Sequence, residues 1–425
     1  MAAGLGVARC GGGGHAAVGV GPRALAAARP AMGTPRRRGP GVTAPGGPLP
    51  RALSVELRLQ RPGLDIRAQF RVAPGRVCAL VGRSGSGKTA LLKAAAGLEP
   101  ALGGRVALGP DPLYDSAAGL NLPAHARRLS WLDADTHLFP HLSVQGNLLY
   151  GHRVGGGDRG PRMEAVARWL ELETLLTRHV TALSAAQRLR VALGRALLAH
   201  PHALLLDDPL GRVPVEAHPA LLELLAQVPT RFRLPMVLVT PRMTEVIHLA
   251  DEVVVLHEGR MASAGPTPHI LSDVSLSSFL EGDQAGSVFE GVVKRHDVTW
   301  LLSEVDVAGQ RVTVPATLHP VGSRVRLKVR ARDIVLHRQA PVDTSVSNHL
   351  RGRVVQVMLA GEHGTYGAVA IELDHAVDAN GQLTGPAVSL WALLTRKSIQ
   401  QMGWAPGQPC LIGFKAMAVS VSPWH

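Results

Sequence analysis

The octapeptide Gly82-Arg83-Ser84-Gly85-Ser86-Gly87-Lys88-Thr89 constrains this chain more than any other stretch. Its spacing, GxxxxGK[ST], is that of a loop that wraps phosphate. The glycines let successive backbone N–H groups turn inward as a nest for anionic oxygens. Lys88 is placed to reach the β- and γ-phosphates of a nucleotide, and the Thr89 hydroxyl to help hold Mg²⁺. A helix starting at the loop adds its positive end. The flanks suit this reading. Val77-Cys78-Ala79-Leu80-Val81 is an apolar run of strand length, and Ala90 to Ala96 is helix-forming sequence stopped by Gly97. A Gly-rich surface turn would need neither flank.

Further apolar runs at Ala203–Leu206, Met236–Val239 and Val253–Leu256 alternate with helical stretches. Leu189, Ala192, Leu193, Ala196 and Leu197 follow the i, i+3, i+4 spacing of one buried helix face. Residues 51–283 therefore predict an α/β domain with a mostly parallel sheet covered on both faces. From residue 284 to 425 short alternating runs take over. Arg324-Val325-Arg326-Leu327-Lys328-Val329-Arg330 alternates strictly, as a half-buried strand does. Trp300–Val305, Val312–Val314, Arg353–Val357, Val369–Leu373, Cys410–Phe414 and Ala418–Val421 are further strand candidates. Turn signals lie between them at Asn380-Gly381 and Pro406-Gly407. The expectation is an all-β, barrel-like domain, in one piece or two linked halves, with the change of regime near Glu281-Gly282-Asp283.

The net charge of +13 raises the question of nucleic acid. Residues 1–50 supply +6 of it, from Arg9, Arg23, Arg29, Arg36, Arg37 and Arg38 with no acid, and aromatics make up only 4% of the chain. The remaining excess is thinly spread, with no basic stacking surface, so no nucleic-acid partner is expected. Residues 1–50 are Gly, Ala, Pro and Arg without periodicity and predict disorder. They lack the serines of a transit peptide and the apolar core of a secretory signal. They read as a tail without a function of its own, or as sequence upstream of a start at Met32. No apolar run reaches the length of a membrane span. Cys10, Cys78 and Cys410 lie far apart, which suggests a reducing compartment and no disulfide framework.

Two more segments complete the chemistry. Leu204-Leu205-Leu206-Asp207-Asp208-Pro209 is an apolar strand ending in carboxylates: Asp207 to hold Mg²⁺ through water, Asp208 to orient or deprotonate an attacking water. Leu183-Ser184-Ala185-Ala186-Gln187 opens the helix that continues through Arg190-Val191-Ala192-Leu193-Gly194-Arg195-Ala196-Leu197. On these residues the chain resembles the ABC-transporter ATPases, whose signature here is LSGGQ. It is most similar to the ATP-binding subunits of molybdate importers. Arg127-Arg128 with Leu138-Phe139-Pro140-His141-Leu142-Ser143-Val144 matches that family's Q-loop region, and Val246-Ile247-His248-Leu249-Ala250-Asp251 matches the run before its last core strand. The resemblance spans roughly residues 53–425 and implies an α/β P-loop NTPase domain followed by an all-β, OB-like (TOBE/Mop) oxyanion-binding domain.

The resemblance also implies ATP and Mg²⁺, a head-to-tail dimer with a second ATP-binding subunit in which Ser184 faces the partner's nucleotide, and membrane permease subunits met by Leu138–Val144. It places the chain peripherally on the cytoplasmic face of the inner membrane. Thr344-Ser345-Val346-Ser347-Asn348 stands where such modules carry Thr-Ser-x-Arg-Asn, and Leu394-Thr395-Arg396-Lys397-Ser398 is similar to their Ile-Thr-x-x-Ser. Thr344, Ser345, Asn348, Thr395, Lys397 and Ser398 are thereby candidates for a tetrahedral oxyanion, with one motif cation lost at Ser347.

The departures from the family within the ATPase region all touch hydrolysis. Ala134 stands at the Q-loop glutamine, and Ala185 and Ala186 at the signature glycines. Asp208 stands at the catalytic glutamate, Gly211-Arg212-Val213-Pro214 at the D-loop, and Pro241 of Thr240-Pro241-Arg242 at the switch histidine. Phosphate binding rests on an intact loop, whereas hydrolysis rests on altered residues. The expected function is therefore the ATP-binding subunit of an importer for molybdate or a related oxyanion, with slow turnover. The alternative is a molybdate sensor or store built on a degenerate ATPase.

Overall fold

The computed structural model describes residues 51–156, 161–273, 286–359, 366–374 and 388–423. The expected tail, the boundary at Glu281-Gly282-Asp283 and the Asn380-Gly381 turn lie outside these residues. Along the chain come β1 (Leu53–Arg61), β2 (Leu64–Val72), β3 (Val77–Val81) and, after the glycine-rich loop, α1 (Lys88–Ala96). Then follow β4 (Gly103–Leu108), β5 (Asp111–Asp115), β6 (Leu120–Asn121) and β7 (Leu129–Asp133). The helices α2 (Val144–Val154), α3 (Met163–Trp169) and α4 (Ala185–Leu198) lead to β8 (Ala203–Asp207). After α5 (His218–Phe232) come β9 (Met236–Val239), α6 (Met243–Leu249), β10 (Glu252–His257), β11 (Arg260–Pro266) and α7 (Thr267–Leu271).

These strands form one sheet in the order β6-β5-β4-β1-β2-β11-β10-β3-β9-β8-β7. Only the run β10-β3-β9-β8-β7 is continuously parallel. The expected mostly parallel sheet is therefore corrected to a mixed one. β1, β2, β4, β5 and β6 are antiparallel neighbours, and β2 meets β11 in parallel at a single residue pair. The cause is legible in β1: Leu53, Val55, Leu57 and Leu59 are buried while Glu56, Arg58 and Gln60 are exposed, the pattern of a sheet with one wet face. β8 is different. Its Leu204 and Leu206 join the core on one face and Ala203 and Leu205 the core on the other. Each fully buried Leu contributes ~1.5–3 kcal/mol of transfer free energy. α1 packs on the second face through Leu91 and Leu92, and α4 on the first through Leu189, Leu193 and Leu197.

The C-terminal strands are β12 (Gly286–Asp297), β13 (Leu302–Val307), β14 (Gln310–Pro315), β15 (Arg324–Arg330), β16 (Val335–His337), β17 (Asn348–Leu359), β18 (Tyr366–Leu373) and β19 (Ser389–Thr395). After α8 (Arg396–Met402) come β20 (Pro409–Phe414) and β21 (Val419–Pro423). They make two five-stranded sheets, β14-β13-β12-β15-β21 and β16-β20-β17-β18-β19, that share one apolar core. Register shifts in β12 and β17 bend the two long strands, as bulges do. This is the expected all-β, OB-like architecture.

One strand departs from expectation. β15 alternates in sequence but is buried on both faces from Val325 to Val329. Arg326 is only 3% exposed. Its Nη1 donates to the carbonyl oxygens of Ile247, at 3.0 Å, and Ala250, at 2.6 Å, at the C-terminal end of α6. At Arg326 the charged face that seemed destined for water is covered by the end of α6, and the cation caps a helix end where the backbone dipole is negative. Burial also brings the Lys328 ammonium down to about 8.

Candidate functional site

The phosphate loop leaves β3 at Gly82 and enters α1 at Lys88. Gly82 has φ 143°, and a Cβ there would run into the Leu256 carbonyl oxygen of β10. Gly87 has φ 98°, and a Cβ would strike the Ile66 side chain. Only glycine lets the loop lie this close to the sheet. Ser86 is buried, and Arg83, Ser84 and Gly85 are exposed at the loop's crest. Lys88 Nζ donates to Gly82 O at 2.7 Å, Arg83 O at 2.9 Å and Ser86 Oγ at 3.3 Å. Its ammonium is thus bent back over the loop, among neutral acceptors that a triphosphate would outcompete.

Thr89 Oγ1 donates to Asp207 Oδ1 at 3.0 Å, so the hydroxyl and carboxylate expected at Mg²⁺ meet, 118 residues apart in sequence. Burial pushes the Asp207 carboxyl above its ordinary value, offset by the Thr89 hydrogen bond and by Lys93 and Lys88, while neighbouring Asp133 adds to the rise. Oxygen donors with unbalanced negative charge fit a hard divalent cation.

The hydrolytic side is wired differently from any expectation. Asp208 takes the left-handed conformation, φ 47°, and its N–H donates to Val239 O at 2.7 Å, tying the tips of β8 and β9. Its Oδ1 accepts from Arg242 Nη2 at 3.1 Å. Arg242 Nε donates to Glu245 Oε1, and Glu245, 1% exposed, takes the Thr240 hydroxyl on its other oxygen at 2.7 Å. Thr240 Oγ1 also accepts the Arg242 N–H at 3.1 Å. His218 Nε2 bonds to Val213 O, at 2.9 Å, in the D-loop segment. Burial raises the Asp208 carboxyl, Arg242 pulls it back, and Glu245 and Asp207 raise it further. Pro241 sits exposed beside this network and takes no side-chain hydrogen bond.

Around Ala134 the turn is held by its neighbours. Asp133 Oδ2 accepts from Trp131 Nε1 at 3.1 Å and meets His137 Nε2 at 2.9 Å. Asp135 pairs with Arg212 of the D-loop at 2.5 Å. Asp133, Arg212, Arg242 and Glu245 are the residues that sequence reasoning missed. Arg242 was adjacent to a recognised position, but the ion pair crosses 34 residues and two strand ends.

Ser184 caps α4. Its hydroxyl accepts from Gln187 N at 3.2 Å while Gln187 Oε1 accepts from Ser184 N at 3.0 Å, a capping box. α4 and α1 lie on opposite faces of the sheet, so the chain does not bring Ser184 to its own phosphate loop. Ala185 and Ala186 are half-buried against the core. In the Leu138–Val144 segment, Phe139 stacks edge-on against Tyr150 at 4.6 Å and its backbone is bracketed by buried Asn147, while Pro140 and His141 are exposed.

The candidate oxyanion residues fall into two separate places. Thr344 and Ser345 are exposed just before β17, and Thr344 Oγ1 accepts from Val346 N. Asn348, 1% exposed, spends both ends of its amide on Thr313, accepting its N–H at 2.6 Å and donating to its carbonyl at 2.9 Å. It stitches β17 to β14. Thr395 caps α8 through Ser398 N, and Lys397 is exposed beside it. Thr395 faces Tyr366, near the far end of β17 from Asn348. β17 is 12 residues long, about 35–40 Å at ~3.3 Å per residue. The two sets are not brought together within one chain.

Comparison with known proteins agrees with this geometry. The ABC transporter family model matches residues 67–211. The chain is similar to the molybdenum import ATP-binding protein ModC of Rhodobacter capsulatus, 36% identical over 353 residues, covering 83% of this chain and 94% of that one. That of Rhizobium meliloti (strain 1021) is 39% identical, covering 71% and 85%. That of Vibrio cholerae is 32% identical, covering 87% and 96%. With a phosphate loop, a strand-tip carboxylate on its threonine and a β-rich C-terminal region in the same order, the chain belongs to the ABC-transporter ATP-binding family, among the molybdenum import ATP-binding proteins.

Proposed function

We propose that this chain is the ATP-binding subunit of an importer for molybdate or a related oxyanion, and that it binds MgATP well but turns it over slowly. The observation that carries this is the assembled pair Thr89–Asp207 beside Lys88 on an intact glycine loop. Lys88 holds the β- and γ-phosphates, the loop amides from Gly82 to Thr89 cradle them, and Thr89 with Asp207 holds Mg²⁺. The bound Mg²⁺ supplies charge neutralisation of the phosphate oxygens. Asp208 orients the water whose oxygen forms the new bond to γ-phosphorus as the bond to the β-phosphate oxygen breaks, and accepts its proton. Asp208 is one methylene shorter than the family's glutamate, and Ala134 and Pro241 contribute no polar group, so turnover is slow.

Ser184 lies across the sheet from the phosphate loop, which fits a head-to-tail pair in which each signature serves the other subunit's nucleotide. Ala185 and Ala186 add a Cβ each where the partner's phosphate approaches. Among the described residues no helix is long and apolar enough to cross a membrane. We place the subunit peripherally on the cytoplasmic face, docked on permease subunits through the segment around Phe139 and Pro140. A single oxyanion held by both Thr344/Ser345 and Thr395/Lys397/Ser398 needs a second copy of the C-terminal region.

The test is calorimetry of MgATP with the purified chain, then ATPase and molybdate uptake with permease in vesicles against a Lys88→Ala control. Saturable MgATP binding with uptake above the control is expected. Folded protein that takes up no MgATP would sink the proposal. ATP-independent molybdate binding without transport would favour a sensor or store.

A further inference from the structure

We propose that Arg242 is this chain's contact to the terminal phosphate, a guanidinium that takes over from position 241 the duty proline cannot perform. The inference rests on the ATP-binding reading above and extends it to a residue outside the family's pattern.

The placement argues first. Arg242 Nη2 lies 3.1 Å from Asp208 Oδ1, immediately beyond the tips of β8 and β9. Asp208 follows Asp207, which holds the Thr89 hydroxyl, so the guanidinium, with its side chain 29% exposed, is bonded one residue along from the loop's own contact. Pro241 fixes its own φ and removes a donor, and the next residue carries a guanidinium.

The mounting argues second. Glu245 is buried and grips Nε from below, and Thr240 grips both Glu245 and the Arg242 backbone. These bonds fix the base of the side chain. The carboxylate contacts to Asp208 and Glu245 take two of the five N–H donors of a planar fork that matches phosphate bidentately. A surface arginine paired at random would have no buried carboxylate beneath it.

The electrostatics argue third. Arg242 answers two carboxylates with one charge. A terminal phosphate carries more charge than Asp208 and competes for the Nη edge, while Nε stays on Glu245. The exchange has two effects. It brings a cation to the oxygens where negative charge develops as the γ-phosphoryl group leaves ADP for water. Its second effect is to hold those oxygens in a fixed place, since Nε stays anchored on Glu245. Arginine supplied in cis is worth about 10³–10⁵ in rate in other phosphoryl-transfer sites.

The opposite reading, a clamp that holds Asp208 idle, predicts the opposite sign. In the full-length chain, MgATP and MgADP affinities and single-turnover hydrolysis are measured for the unaltered protein, Arg242→Ala and Arg242→Lys, with thermal melts as the folding control. Arg242→Ala should weaken MgATP about tenfold while leaving MgADP within about twofold, and should slow hydrolysis at least 10²-fold. Arg242→Lys keeps a charge on Glu245 and should recover part of the ATP preference. Equal loss for both nucleotides, no loss, or faster hydrolysis in Arg242→Ala overturns the inference and leaves the ATP-binding reading intact. No MgATP uptake by the unaltered chain overturns both.

Discussion

The two sides of the nucleotide cleft obey different rules. On the phosphate-loop side, every fixed position of the motif is present, with Lys88 bent over the loop and Thr89 on Asp207. On the hydrolytic side, the residues expected from the family are replaced at Ala134, Asp208 and Pro241. The site there is bonded, with Asp208 on Arg242, Arg242 on buried Glu245, and Glu245 on Thr240. Binding depends on a backbone shape that glycine spacing dictates, so it is kept whole or lost. Hydrolysis depends on side chains from distant segments, and these can be exchanged while the strand ends stay where they are.

The sharpest way to break that comparison is Lys88→Ala. MgATP affinity should fall on the order of 10²-fold or more, the loss of a charge-assisted contact to phosphate, while Asp208→Asn should change it little. Equal losses by calorimetry would merge the two sides into one. Next, Asp208→Asn should lower single-turnover hydrolysis on the order of 10²-fold at near-constant affinity, the usual scale for a general base. An unaffected rate would remove Asp208 from the chemistry.

Arg326→Leu tests whether the hydrolytic side extends through α6. It takes the guanidinium away from the Ile247 and Ala250 carbonyls, of which Ala250 keeps the Thr267 hydroxyl at 2.8 Å, and should cost about 1–3 kcal/mol in chemical denaturation. Hydrolysis should drop several-fold with MgADP binding unchanged, because Glu245 rides on the same helix.

The smallest effect concerns pH. Burial raises the Asp208 carboxyl and Arg242 lowers it, and the base works only when ionised. In the free enzyme, which the kcat/KM profile reports, the acid limb should therefore lie above that of an ordinary aspartate. In Arg242→Ala this kcat/KM limb should move upward, and a downward move would contradict the ion pair.

What the sequence disclosed follows the same division. The loop, β3, β8 and the buried face of α4 were legible because their signals are contiguous or strictly periodic. The antiparallel strands at the sheet's edge carried an equally clear alternation, Leu53, Val55, Leu57, Leu59, which a reading focused on βα alternation passed over. Arg326 and Lys328 looked like solvent-facing positions, since nothing local says that both will be buried or that Arg326 will meet the end of α6. Asn348 looked like a ligand because it closes the segment resembling Thr-Ser-x-Arg-Asn, but a side-chain amide also substitutes for missing strand partners, and Thr313 claims both of its ends. Arg242 was invisible as a site residue because its partner is 34 residues away.

The arginine of β15 has a consequence for modularity. α6 is seven residues long, and a residue from another sheet donates to the Ile247 and Ala250 carbonyls at its end, so the two halves of this protein are not interchangeable parts. A shortened chain ending before residue 286 would keep the glycine loop yet carry a frayed helix under its catalytic edge. A hybrid with a foreign C-terminal half should fire ATP at a tempo set by whether the graft brings a cation to that one spot.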